Sequence, residues 1–442
     1  MEKFCDSLTR YSRRETVAVQ IGNTAIGGDN PIRIQSMTNT DTNDTAASVA
    51  QTERIAAAGG EIVRLTAQGR REAENLGAIR AELDRRGCRV PLVADIHFLP
   101  SAALVAAEHV EKIRINPGNF NDKGGQFDEL LAICKRRGAA LRIGVNHGSL
   151  APAVMERYGD TPEGMVASAM EFLRRCRAAA FDRVVLSVKS SNVRVMVQAY
   201  RMLAAAMRAE EMRYPLHLGV TEAGNDREGR IKSAAGIGAL LADGLGDTIR
   251  VSLTEAPERE IPVARMLADY FAGRENHAPI PAVDESLYSP YSYRKRPSEK
   301  IGGIGGDAQV AIWSEIPAAV RETLFEADIR TVDRIPRGRI VLLKTNNLNG
   351  IAEQRAALLT MAGRGLTNPV IIQRTYDESD PEVLQIKAAA DLGPLFLDGF
   401  GDAIRIENLN PAIPQSEIDA LSLDILQTAR VRISKPEYIA CP

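Results

Sequence analysis

In this 442-residue chain the residues able to do chemistry recur as polar or charged pairs two or four positions apart, inside short β-branched runs. The pairs are Arg64 with Thr66, Asp95 with His97, Arg114 with Asn116, Arg142 with Asn146, Ser187 with Lys189, and Arg250 with Ser252. Glu222 stands alone at the end of a further run. Side chains alternate along a strand with period two, so each pair shares a face. The residues between them, such as Val63, Leu65, Ile113, Ile115, Ile249 and Val251, make the opposite face apolar. If the polar faces converge, four arginines and a lysine meet Asp95 and Glu222, and positive charge is left over. A buried unpaired cation is costly, and arginine forks match phosphate oxygens bidentately. The pattern therefore predicts a phosphorylated small-molecule ligand; an internal ion-pair network is the alternative. Glu222, a lone carboxylate at a strand end, is the general acid/base candidate. His97 fits an acid, a phosphate donor or a core histidine. Lys189 fits a phosphate ligand or, because neighbouring cations depress an amine, a Schiff-base lysine. His147 and His217 read as structural.

The elements that must position these residues alternate regularly. Strand candidates begin at Ile32, Glu61, Pro91, Lys112, Leu141, Val184, Leu216 and Thr248, with alanine-rich amphipathic stretches between them. Thr161-Pro162-Glu163 is a helix start, and Gly59-Gly60 is a helix stop. Eight such units predict a (β/α)8 TIM barrel over residues 1–272, with its site at the C-terminal strand ends. A doubly wound open sheet is the runner-up. Residues 273–306, closing on LYSPYSYRKRPSEKIGGIGG, read as a linker. In a second unit, 307–434, the stretch from Ile386 to Arg405 matches that from Ile231 to Arg250 at twelve of twenty positions. The repeat predicts a degenerate, barrel-like α/β insert, with Glu407 where the barrel has Ser252.

Composition narrows the function classes. With 55 Lys and Arg against 57 Asp and Glu, a nucleic-acid partner is not expected. The first twenty residues lack an apolar signal core, and no apolar run has membrane-spanning length. Cys5, Cys88, Cys134, Cys176 and Cys441 are scattered and odd in number, which argues against a disulfide framework and for a reducing cytoplasm. The glycines between Gly236 and Gly246 lack dinucleotide or P-loop spacing.

Several segments together resemble one family: QSMTNTDT from Gln35, VPLVADIHF from Val90, IRINPGN from Ile113, RIGVNHGSL from Arg142, SVKSSN from Ser187, LGVTEAG from Leu218 and GDTIRVSL from Gly246. The family is that of the 4-hydroxy-3-methylbut-2-enyl diphosphate synthases, GcpE or IspG, in its long three-domain form. The resemblance implies an oxidoreductase of non-mevalonate isoprenoid biosynthesis. Its reaction would be reductive ring opening and dehydroxylation of 2-C-methyl-D-erythritol 2,4-cyclodiphosphate to 4-hydroxy-3-methylbut-2-enyl diphosphate. By the matching motifs, Arg64, Arg114, Arg142, Lys189, Arg250 and Ser252 would hold the diphosphate. Asp95, His97, Asn116, Asn146 and Glu222 would position the carbon skeleton and handle protons. The resemblance further implies a 4Fe–4S cluster held by three cysteines and a glutamate of a C-terminal domain, a flavodoxin or ferredoxin donor, and room for a homodimer. IACP from Ile439 resembles the first half of a CPxCG-type cluster motif. Residues 435–442 are therefore expected to open that domain, with Cys441 its one ligand before Pro442. On this reading the chain alone binds substrate without reducing it. Rival readings are a dihydropteroate synthase-like or aldolase-like barrel, or an inert fragment.

Overall fold

The computed structural model describes residues 3–122 and 124–436. Eight short strands follow one another: Arg33–Met37, Ile62–Ala67, Leu92–Ile96, Lys112–Ile115, Ala140–Asn146, Val184–Lys189, His217–Leu218 and Thr248–Ile249. Each pairs in parallel with its sequence neighbour, Thr248 pairs with Arg33, and a Leu186–Leu216 bridge joins the sixth and seventh. The ring is therefore closed, a (β/α)8 barrel and not an open sheet. Val63, Leu65, Ile113, Ile115, Ile249 and Val251 are fully buried on its outer side, where the helices cover them. The helix Pro162–Ala178 starts as its sequence dictates, with Thr161 Oγ accepting from the Gly164 N–H and Pro162 in the first turn. The helix Thr45–Ala57 is followed by Gly59 at φ +99°, a left-handed turn that glycine adopts freely.

The last two strands are shorter than the runs read from the sequence. Each contributes only two ladder residues, so Glu222, Arg250 and Ser252 lie past the strand ends. A hairpin, Val19–Ile21 with Thr24–Ile26, was not anticipated. Its two-residue Gly22-Asn23 turn between β-branched pairs is a legible hairpin signal. Val19, Ile21 and Ile26 pack on Ile62, Val93, Ala140 and Val185 and close the barrel at the strand starts.

The second unit carries a parallel five-stranded sheet in the order Ala311–Ile312, Ala403–Asn408, Val370–Tyr376, Val341–Leu343, Phe325–Ala327. Its succession follows that of the first, eighth, seventh, sixth and fifth barrel strands. The two repeated helices, Asp226–Ala242 and Pro381–Leu397, pack on each other. A Cβ at Gly238 would lie 3.0 Å from Ala390, and one at Gly393 2.6 Å from Ala235. Ala390 is the repeat partner of Ala235, and Gly393 that of Gly238, so the contact is reciprocal about a local pseudo-two-fold. The absent side chains let the helices approach. At one end Arg230 pairs with Glu382 at 3.2 Å. At the other, Arg201 and Arg355 each bridge Asp243 and Asp398, at 2.5–3.1 Å. Like ends meet, so the helices run parallel and the strand ends of both sheets face the same side. A second buried knot gathers Tyr270, Arg274, Arg374 and Tyr376 around Asp391. No described helix is long and apolar enough to cross a membrane.

Candidate functional site

The inward residues of the strands form a polar well above the hairpin plug. Arg114 donates to Asp95 Oδ1 at 2.9 Å and to the Gly144 carbonyl at 3.1 Å. Arg64 Nε lies 3.4 Å from Asp95 Oδ2, and its guanidinium also rests on the Met37 sulfur. Burial alone would raise the Asp95 carboxyl. The charges of Arg114 and Arg64, the His97 hydrogen bond and Arg142 overturn that and hold it well below the usual carboxylate range. A carboxylate so held stays ionised and positions its two arginines; it is a poor proton donor.

Arg250, read from the sequence as one of the converging cations, is clamped by a residue the strand pattern does not reveal. Glu260, buried on the helix Pro257–Tyr270, accepts from it at 3.1 and 3.3 Å and from Ser36 at 2.8 Å. Arg142 is the opposite case. It is 1 % exposed, and its Nε and Nη1 have no hydrogen-bond partner among the described residues. Burial, then Arg64 and Arg114, disfavour its charged form, yet a guanidinium does not release its proton in proteins. Lys189, buried at the end of the sixth strand, makes no ion pair within 4 Å with any described carboxylate. Burial, then Arg142, Arg64, Arg250 and Arg114, lower it well below an ordinary amine. Two inward glycines leave room for these heads. A Cβ at Gly144 would lie 2.7 Å from Arg114 Nε, and one at Gly219 2.7 Å from Lys189 Nζ. Among the described residues the well thus gathers more cationic donors than Asp95 and Glu260 match.

The other sequence candidates sit around its rim. His97 is partly exposed, with Nε2 3.7 Å from Asp95. Asn116 donates to Ser149 at 2.9 Å and accepts from the Gly118 N–H. The Asn146 amide, turned to suit its surroundings, accepts from Arg114 at 3.2 Å. Ser187 is buried beside Gly144. Glu222 has φ +51°, a left-handed conformation that costs a residue with a Cβ about 1–2 kcal/mol. His147 is tied to Asp160 in a loop. His217, read as structural, lies inside the barrel with Nδ1 2.8 Å from Thr248 Oγ1. Cys5, Cys88, Cys134 and Cys176 are free; burial pushes the first, third and fourth up to about 12. Among the described residues no group of three or more His, Cys, Asp or Glu could hold a metal ion. Cys441 lies outside the described residues.

A family model described as the GcpE TIM-barrel domain matches residues 16–265. A 4-hydroxy-3-methylbut-2-en-1-yl diphosphate synthase (flavodoxin) from Parabacteroides distasonis is 45% identical, covering 98% of this chain and 84% of its own length. The protein of the same description from Phocaeicola vulgatus is 44% identical over 98% of this chain and 85% of its own. Among solved structures, a dihydropteroate synthase from Stenotrophomonas maltophilia is similar at a TM-score of 0.41 and 16% identity, covering 58% of this chain and 98% of that one.

Proposed function

The chain belongs to the GcpE family of 4-hydroxy-3-methylbut-2-en-1-yl diphosphate synthases, and from that premise we propose that its barrel well holds the cyclic diphosphate of 2-C-methyl-D-erythritol. The activity is that of an oxidoreductase of isoprenoid biosynthesis: the cyclic diphosphate is opened reductively and a hydroxyl is lost. The relatives' description supports flavodoxin as the electron donor.

The observation that carries the assignment of the site is Arg142, a buried cation with two unpartnered N–H groups beside other cations. A diphosphate supplies the missing acceptors. Arg142 and Lys189 are proposed to bind its oxygens directly, with Arg64 and Arg114 held in line by Asp95. Arg250, steadied by Glu260, and Ser252 would complete the cradle at the eighth strand. Asn116 and Asn146 would orient the carbon skeleton. His97 and Glu222 are the groups left to move protons, since Asp95 is locked as an anion; the strained backbone at Glu222 is consistent with a site role.

The resemblance implies a 4Fe–4S cluster, and the described residues do not fit one. Cluster ligands are thiolates, whereas Cys5, Cys134 and Cys176 are held as thiols. No step is therefore derived through it. The reading is that the ligands lie outside the described residues, Cys441 among them. The second sheet is proposed to act as a spacer. Arg405, the repeat partner of Arg250, is engaged by Glu407 at 2.9 Å, by Gln373 at 3.0 Å and by the Trp313 ring at 3.9 Å, which leaves little for a phosphate. Free cysteines support a cytoplasmic setting.

Thermal unfolding with and without the cyclic diphosphate tests the assignment. Ligand at a hundred times its Kd should stabilise the fold by about 2.7 kcal/mol, and at the same ligand concentration Arg142→Met should cut that stabilisation to about half or less. An undisplaced midpoint for the parent chain at millimolar ligand would sink it.

A further inference from the structure

Beneath the well lies a tier of polar groups, centred on Lys112, Gln35 and His217, that the proposed substrate contacts do not use. Lys112 precedes Arg114 by two positions on the same inward face of the fourth strand and is completely buried. Among the described residues its amine hydrogen-bonds only to a neutral group, Gln35 Oε1, at 3.2 Å. It makes no ion pair within 4 Å with a described carboxylate. Gln35, Arg142 and His217 flank this tier from the first, fifth and seventh strands, and each carries an orphaned buried nitrogen: Gln35 Nε2, Arg142 Nε and Nη1, and His217 Nε2. Below it the barrel is apolar, sealed by Val19, Ile21 and Ile26 of the hairpin.

The groups facing Lys112 are Arg142 and Arg64, both cationic, with Gln35 neutral and His217 kept neutral by burial and by the same cations. An amine enclosed in this way can shed its charge, which the guanidinium above it cannot. The ligand-free barrel therefore lowers its internal repulsion at Lys112. When an anion enters above, the balance reverses, because its charge offsets that of Arg142 and favours an ammonium beneath.

Resting on the diphosphate reading above, we propose that Lys112 is a further positioning residue of the anion site, a buried amine that takes up one proton from solvent when the diphosphate binds. The proton adds to the amine nitrogen and no other bond changes. Burial, Arg142 and Arg64 hold the Lys112 amine well below its ordinary value in the empty barrel, in line with this. Binding then depends on pH without any change in the ligand's own charge, and the affinity weakens as pH rises. The device favours a doubly charged ligand over a singly charged one of similar shape, since only a strong enough anion recovers the proton.

The experiment is calorimetric titration of the full chain with 2-C-methyl-D-erythritol 2,4-cyclodiphosphate at pH 7.5 in buffers of different ionisation enthalpy. The slope of observed heat against that enthalpy counts protons taken up. The same titration is run on Lys112→Met, and on Lys112→Gln should the first fail to fold. The parent is expected to take up protons, and the variant fewer by a difference approaching one, with weaker affinity and a flatter pH dependence. A merely structural lysine would alter affinity without altering the proton count. Binding with equal proton counts in parent and variant, or with none in the parent, overturns this inference alone. Absence of any binding overturns the diphosphate reading and this inference with it.

Discussion

Replacing Arg142 by Met should make the ligand-free protein more stable and a worse binder at once. Met is close in length and has no charge to bury. Arg142 lies among Arg64 and Arg114 with Nε and Nη1 unpartnered, and the one carboxylate nearby, Asp95, is already engaged by both neighbours. Exchanging buried ionic groups for apolar ones is often neutral or stabilising by about 1–4 kcal/mol. At roughly 2–4 °C per kcal/mol for a unit of barrel size, the midpoint should rise by a few degrees. The same change removes at least one charge-assisted hydrogen bond to the ligand, worth about 1.5–3 kcal/mol, so affinity should fall roughly 10- to 100-fold. Scanning calorimetry gives the first number and isothermal titration with the cyclic diphosphate the second. A destabilised variant that binds as tightly as the parent would refute the claim that this guanidinium is kept for a ligand.

The same geometry sets the outcome of other perturbations. Gly219→Ala would place a Cβ 2.7 Å from Lys189 Nζ and 2.8 Å from the Arg250 carbonyl; it should cost about 1–3 kcal/mol of stability by overpacking and weaken binding measurably in the same titration. Asp398→Ala leaves Arg201 and Arg355 sharing Asp243 alone, and denaturant unfolding should report a loss of about 3–5 kcal/mol, whereas Arg405→Met should leave ligand affinity unchanged. Glu222→Gly should relieve the left-handed backbone and raise stability by about 1 kcal/mol, while Glu222→Gln in a cluster-loaded enzyme should lower turnover and spare binding. The buried amines set a pH dependence: Lys112 and Lys189 lie well below the ordinary lysine value when folded, so the unfolded chain binds more protons. Stability of the ligand-free protein must then rise with pH up to the ordinary lysine value, by up to about 1.4 kcal/mol per unit and group. Lys112→Met should flatten that slope between pH 7 and 9 in denaturant titrations.

Period-two alternation brought out Arg64, Arg114, Arg142 and Lys189 because each belongs to a regular strand whose inward face is fixed by its apolar outer one. The same rule reaches Lys112, two residues before Arg114, and Gln35 within the first strand, but both precede the strand ends, where sites are expected. It loses force past residue 249, where a two-residue ladder hands Arg250 and Ser252 to a loop. Glu260 could not be read at all, since its contact with Arg250 exists only once the barrel closes and the following helix folds back on it. The repeat was visible as identity. Its consequence, glycines and alanines interlocking across the pseudo-two-fold, needed the packing, and the arginines that staple the helix ends lie outside the repeated stretch. Counting charges along the chain therefore shows an excess of cations, but that Glu260 engages Arg250 is visible only in the folded barrel.

The central claim is that the barrel well is a diphosphate site organised around an unpaired Arg142. A crystal structure of the chain with 2-C-methyl-D-erythritol 2,4-cyclodiphosphate bound tests it most directly. The account predicts phosphate oxygens about 2.7–2.9 Å from Arg142 Nε or Nη1 and from Lys189 Nζ, with Asp95 still bridging Arg64 and Arg114. Ligand density at the second sheet or on the outer surface, with Arg142 left unpartnered, would contradict it.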